Sequence, residues 1–384
     1  MKYDAWTRSA AGVALILLGT ISNAQVPDLL NAFEMGGRAM GMGGGTYSNS
    51  SDPSASYWNP AGLAHISSTT VQMDFRNRPG SDTSVSGSFV DPDRSADGQY
   101  GSNAITFAGV ATPFGKGVLG LSYAVGGWIR DDARNDSDLH SGDPGDPTVV
   151  TTFIDFLKVY TEFVTLAYGT GSGRGTTFGV GIVFARQNLN NDVFVRTEDG
   201  SGGLISETLT EVSSNGFGLG GIVGVQFVPP SNPNVSFGLS YRSEIQLNDV
   251  EDGEPYGDTI PARLQAGLVF RRDGLRGGRD YLVGGIDASY FFPANDGRIL
   301  ERDSQLAFGG GVEYNWSQAF GYIPFRVGFR SVQEAGEGFA NRDVFTFGVG
   351  YRPTSGDWTI DLSIATASGQ SRPDLAISMT FFNR

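Results

Sequence analysis

The side chains able to do chemistry in this chain are carboxylates, guanidiniums and hydroxyls, because its 384 residues include no cysteine and only two histidines, His65 and His140. Without a thiol there is no cysteine nucleophile, no disulfide and no Cys-based zinc site. A membrane-embedded hydrolase would set Ser, His and an acidic or amide partner on adjacent strands near one rim. Neither histidine stands in such a motif, so no enzyme is expected. The stretch GFGLGG at 216–221 satisfies G-x-G-x-x-G, but a dinucleotide site needs that motif to open a helix. Here it lies inside an alternating stretch and reads as strand glycine. The segment RDDARNDSDLHSGDPGDP gathers Asp131, Asp132, Asp136, Asp138, Asp143 and Asp146, oxygen ligands of the kind a hard cation takes. It lacks EF-hand spacing, so a solvated, charge-repelled loop is the better reading. No metal and no cofactor is expected.

What remains is binding. Arg242, Glu313, Arg326 and Arg330, with Asp287 and Asp361, fall on the polar sides of alternating stretches. Such groups either pin an internal segment to a wall or, in the case of an arginine, meet a ligand carboxylate. Residue type and spacing leave both roles open.

These groups are carried on strands. Residues 1–24 carry Lys2 and Arg8, an apolar run over 10–21 and the small-residue end Ser22-Asn23-Ala24, the pattern of a cleaved secretory signal peptide. The apolar run is too short to cross a bilayer as a helix, and no later stretch is long enough. From about residue 67 to 384, apolar and polar residues alternate again and again. Val235, Phe237, Leu239 and Tyr241 oppose Ser236, Gly238, Ser240 and Arg242, and Trp358, Ile360, Leu362 and Ile364 oppose Asp357, Thr359, Asp361 and Ser363. This is a strand between two unlike environments. About fourteen such segments occur, an even number as in bacterial transmembrane barrels.

Their connections alternate in length. Long ones are read at 79–101, 131–150, 189–206, 248–261, 293–304, 333–342 and 367–373; short ones fall at 113–116, 169–175, 229–234, 273–278, 317–322 and 353–356. Short periplasmic turns and long outward loops give this rhythm in outer-membrane barrels, with both termini on the periplasmic side. Tyr241, Tyr314, Trp316, Tyr351 and Trp358 suit the interfacial aromatic girdles. Two strands are less regular. The first rests on Val71, Met73 and Phe75, while 152–168 places Asp155, Lys158 and Glu162 on both faces, which predicts a bulge or register change there. The expected class is therefore all-β, a transmembrane antiparallel barrel of about fourteen strands. A formal net charge of −14 excludes nucleic acid as a partner. Outer-membrane lipid and lipopolysaccharide are the expected surroundings, and a monomer is the expected state.

Glycine is abundant, at 56 residues, and many glycines, such as Gly179, Gly181, Gly224, Gly348 and Gly350, fall on the inward side. A bore of fourteen strands with small inward residues needs an occupant. The segment 25–66 is the candidate, a plug or hatch without strand alternation. Within SASYWNPAGLAHI, Asn59 can cap a single helical turn, Pro60 has its φ preset for the first helical position and Gly62 allows close backbone approach. Asp52-Pro53 can start a second turn.

The stretch GGRAMGMGGGTYSNSSDPSASYWNPAGLA resembles the N-terminal hatch of the FadL family, outer-membrane transporters of long-chain fatty acids and other hydrophobic compounds, with Asn59, Pro60 and Ala61 as its Asn-Pro-Ala step. FGLSYRSEI followed by IPARLQAGLVF is similar to the family's middle region. The resemblance implies a fourteen-stranded barrel with a hatch inside, uptake of a hydrophobic small molecule, hatch movement on binding and lateral escape at a kink in the third strand. In the third strand here, 117–130, Gly126 and Gly127 permit such a bend. The ending TFFNR is a departure, since family members tend to finish on an aromatic. Some barrels similar to this family act instead as partners of type IX secretion, holding exported cargo. A plain diffusion porin is the third reading.

Overall fold

The computed structural model describes residues 35–78, 82–85, 96–99, 102–139, 149–171, 175–199, 203–249, 255–294, 303–335, 341–367 and 373–383. The signal peptide read at 1–24, the first part of the proposed hatch at 25–34, and Asp143 and Asp146 of the acidic loop lie outside them.

Among the described residues eighteen strands form one antiparallel sheet, and fourteen of them close on themselves as a barrel. In chain order these are β1 (Thr69–Arg78), β2 (Ser102–Phe114), β3 (Gly117–Leu139), β4 (Val149–Gly171), β5 (Gly175–Asp199), β6 (Leu204–Val228), β7 (Val235–Arg242), β8 (Arg263–Gly274), β9 (Asp280–Phe291), β10 (Gln305–Gln318), β11 (Gly321–Val332), β12 (Arg342–Pro353), β13 (Trp358–Ala367) and β14 (Asp374–Asn383). Each pairs with its chain neighbour, and β1 with β14 closes the ring, Val71 facing Phe381 and Phe75 facing Ile377. Closure leaves the ring of fourteen without an open edge, which is what a spanning sheet requires in hydrocarbon. The other four strands form two hairpins in long connections, Asp82–Val85 with Ala96–Gln99 and Ile245–Asp249 with Pro255–Ile260.

The two faces invert the usual soluble pattern. Leu219, Phe347 and Val180 are 62%, 58% and 56% exposed on the outside, while Glu313, Gln265 and Ser240 are 0%, 0% and 3% exposed within. Large apolar side chains standing in the surrounding medium are stable when that medium is lipid. Among the described residues no helix is long and apolar enough to cross a membrane; the strands make the crossing.

One expectation needs correction. The connections read as loops at 131–150 and 189–206 are largely strand, since β3 runs to Leu139, β4 begins at Val149, β5 runs to Asp199 and β6 begins at Leu204. These strands hold 23 to 25 residues, against the 9–11 that cross a bilayer. Their far ends stand beyond the membrane, where nothing forces apolar and polar residues to alternate, so the pattern there looks like loop. The irregularity expected in 152–168 is a register change at Glu162 and Thr161, with the extra residue on the neighbouring strand. β4 keeps unbroken register with β5, while on its other side Val125 faces Glu162 and Gly127 faces Thr161, leaving Gly126 as the extra residue of a β-bulge in β3.

Residues 35–66 lie inside the barrel, packed against its inner wall. They fold as a short helix α1 (Gly37–Gly41), a 3-10 turn (Tyr47–Asn49), a second short helix α2 (Ala55–Trp58) and a 3-10 helix (Pro60–His65). Pro60 takes the first helical position and Asn59 Oδ1 accepts from Ala61 N at 3.1 Å, while Asp52 Oδ1 accepts from Ser54 N at 2.9 Å. Burial pushes the Asp52 carboxyl up, against the opposing pull of its Ser54 hydrogen bonds. Gly62 lies against the Ser50 carbonyl, where no Cβ fits.

Candidate functional site

The wall is shaped to the backbone of this internal segment. An added Cβ at Gly179 would meet the Pro60 carbonyl group and Ala61 N; at Gly224, Asn59; at Gly309, the Gly43 carbonyl; at Gly328, Gly43 N. The inward glycines thus let main chain pack flush on main chain. Polar groups fasten the two together. Asn59 Nδ2 donates to Ser48 O at 2.8 Å and to the wall carbonyl of Val225 at 3.2 Å. Gln226 donates to the Ser48 and Ser50 carbonyls, Ser240 Oγ to Trp58 O at 2.8 Å and Ser363 Oγ to Gly37 O at 2.6 Å. Carboxylates on the wall receive amides of the segment: Gly36 N donates to Asp74 at 2.8 Å and Ser48 N to Asp287 at 2.7 Å.

Charge is distributed unevenly around the bore. Glu313, fully buried on β10, accepts from Arg38 Nε of the internal segment at 2.8 Å, from Arg326 Nε at 2.7 Å and from Arg352 at 3.2 Å, and Arg326 also pairs with Asp361 at 2.7 Å. The Glu313 carboxylate, above all, holds the Arg38 guanidinium well above its ordinary range. Arg330 lies 5.2 Å from the Tyr47 ring centre. By contrast, β2 to β6 contribute no buried charged side chain among the described residues. That side carries the largest apolar cluster, in which Phe107, Phe163, Val183 and Ile222 meet Tyr57 and Trp58 of the internal segment. Tyr47 and Trp58 are stacked at 3.8 Å, and Tyr57 meets the Phe163 ring at 5.5 Å.

Two arginines stand where the apolar side ends. Arg242 on β7 and Arg263 on β8 are cross-strand partners, 1% and 2% exposed. Their hydrogen bonds go to neutral oxygens: Arg242 donates to Tyr57 Oη at 3.2 Å and Pro261 O at 3.3 Å, and Arg263 to Tyr57 O at 3.1 Å. Both sit over aromatic rings, Arg242 at 5.2 Å from Phe163 and Arg263 at 4.8 Å from Trp58. Neither has a carboxylate partner among the described residues. The Phe163 ring in turn rests on the Gly126 bulge, occupying the space a Cβ there would need. Guanidinium pair, apolar cluster and bulge are therefore contiguous.

Of the residues singled out in the sequence, Glu313 and Arg326 share one network, while Arg330 and Arg242 occupy separate places in the bore. Asn59, Pro60, Ala61 and Gly62 lie inside, against the wall, and Gly126 and Gly127 lie in the wall of β3. Arg263, Arg38 and Phe163 were missed. Arg263 was legible, since it continues the polar side that Gln265 and Gly267 define.

With this geometry in place, the likeness to known structures is informative. A Pseudomonas aeruginosa FadL homologue aligns over 92% of this chain and 98% of its own at 17% identity, with a TM-score of 0.57. The Ralstonia pickettii toluene transporter TbuX aligns over 94% and 100% at 15% identity, TM-score 0.58. The fold is that of the FadL-type barrels. The CymD monoaromatic hydrocarbon channel shares it too, over 93% of this chain and 99% of its own at 12% identity, TM-score 0.59. No family model and no curated relative matches the chain in sequence. The FadL-type likeness therefore rests on backbone architecture.

Proposed function

We propose that this FadL-type barrel is a passive outer-membrane channel for uptake of hydrophobic small molecules that carry an anionic head, with long-chain fatty acids as the type. The Arg242–Arg263 pair carries this reading. Two adjacent buried guanidiniums without a carboxylate are electrostatically costly, and a ligand carboxylate laid across them would offset that cost while its chain enters the apolar cluster beside Phe163. The relatives in fold are named as a FadL homologue, a toluene transporter and a monoaromatic hydrocarbon channel, which supports a hydrophobic cargo. Residues 25–66 act as the hatch. Ligand binding at Arg242 loosens the contacts with Tyr57, the hatch shifts, and the ligand leaves the bore sideways where Phe163 covers the Gly126 bulge. The mature protein works as a monomer with its outward hairpins in the lipopolysaccharide layer.

Uptake of labelled oleate and of toluene by a host lacking its own channel tests this. Arg242→Gln with Arg263→Gln lowers oleate uptake on the order of tenfold, from the loss of charge-assisted hydrogen bonds, and leaves toluene uptake unchanged. An equal fall for both compounds would refute the headgroup role. Gly126→Val drives the Phe163 ring from its place and lowers uptake of both; unaltered uptake by that variant would rule out sideways exit.

A further inference from the structure

The turn joining β8 to β9 differs from the other short connections. With the last four residues of β8 it reads RRDGLRGGR, with Arg271, Arg272, Arg276 and Arg279 within nine residues of a chain whose formal net charge is −14. All four side chains are exposed. Arg271 shares the inner side of β8 with Arg263 and is taken by Asp273 at 2.8 Å and by the Tyr281 ring at 4.1 Å. Arg272 falls on the outer side with Leu264 and Phe270, which are 40% and 42% exposed. It stands one step beyond the end of the apolar band, where a polar headgroup meets the protein.

Arg276 is the one residue other than glycine with a positive φ among the described residues, at 47°. Its surroundings hold it there: Nε pairs with Asp280 at 2.8 Å, and its terminal nitrogen donates to Ser317 O at 2.8 Å across the neighbouring hairpin. The guanidinium lies 5.9 Å from the centre of the outward Trp316 ring. A strained conformation that persists under such constraint points to a position that is used. The guanidiniums of Arg272 and Arg279 have no partner among the described residues.

We propose that this turn binds the phosphodiester headgroup of an anionic phospholipid in the leaflet next to the short turns. Arg272 and Arg279 supply the charge, and Arg276, clamped by Asp280 and stacked near Trp316, fixes the turn at headgroup depth. The inference needs only a lipid-embedded barrel, so it stands or falls separately from the uptake reading.

Native mass spectrometry of the full-length protein, titrated with dioleoyl phosphatidylglycerol or dioleoyl phosphatidylethanolamine, tests it. The wild type is expected to keep phosphatidylglycerol in preference. Arg272→Gln with Arg279→Gln weakens that binding on the order of tenfold, from the surface attraction of each basic residue. Lys116→Gln, at another short turn, leaves it unchanged, and inorganic phosphate at the lipid's concentration does not displace the lipid. Heat-modifiable migration confirms that the double variant folds, and its oleate uptake stays at the wild-type level. Equal retention of the two lipids, phosphatidylglycerol retained by the double variant, or displacement by inorganic phosphate would overturn the proposal.

Discussion

Replacing Glu313 by alanine is expected to destabilise the folded protein by about 3–5 kcal/mol, the usual cost of stranding buried partner charges. Glu313 is the acceptor at which Arg38, Arg326 and Arg352 converge. Removing it leaves three guanidiniums in the bore with only Arg326 keeping a counterion, Asp361 at 2.7 Å. The Arg38 side chain is 32% exposed, so solvent screens part of its share and the lower end of that range is the better expectation. Glu313→Gln retains shape and some hydrogen bonds and should fall between. The midpoint of thermal unfolding of the refolded barrel reads the effect, and protease sensitivity of residues 35–66 reads its location. An unaltered midpoint in the alanine variant would mean that the network contributes nothing net to holding the segment.

Valine at Gly179 and Gly309 together should leave the barrel intact and unseat its contents. β-branched residues suit strands, and neither change touches the outer face. Inside, each new side chain would occupy space already filled by main chain, the Pro60 carbonyl group in one case and the Gly43 carbonyl in the other. Backbone in a packed interior yields poorly, so overpacking of this kind costs about 1–3 kcal/mol or more at each site. In planar bilayers the double variant should show steady ion conductance where the native protein shows little, with residues 35–66 newly open to protease. Native conductance in a correctly folded variant would mean that the segment finds another seat.

Lipid made most of this architecture readable in advance. It requires Phe237, Leu239 and Tyr241 to face one way and Ser240 and Arg242 the other, so alternation and turn length sufficed for the barrel. Where lipid stops, so does the signal: Asp131, Asp132, Asn190 and Asn191 break the apolar–polar alternation in the sequence, and these stretches read as loop although their backbone is strand. The Asn59-Pro60 turn was legible because a cap is local. The fit of Gly179 to Pro60 or of Glu313 to Arg38 was not, since it joins residues far apart in the chain. The position of the bulge depends on pairing across two strands, so Glu162 drew attention while Gly126 holds the extra residue.

The most direct test of whether the internal segment must move for cargo to pass is a reversible lock. The chain has no cysteine, and a Cβ at Gly37 would lie 2.7 Å from Ser378 Cβ with nothing else nearer than 3.4 Å, so about 1 Å of relaxation reaches disulfide geometry. In the Gly37→Cys, Ser378→Cys variant, oleate uptake should stop when the bridge is oxidised and return on reduction. Uptake undiminished with the bridge closed would mean that cargo passes without movement of residues 35–66.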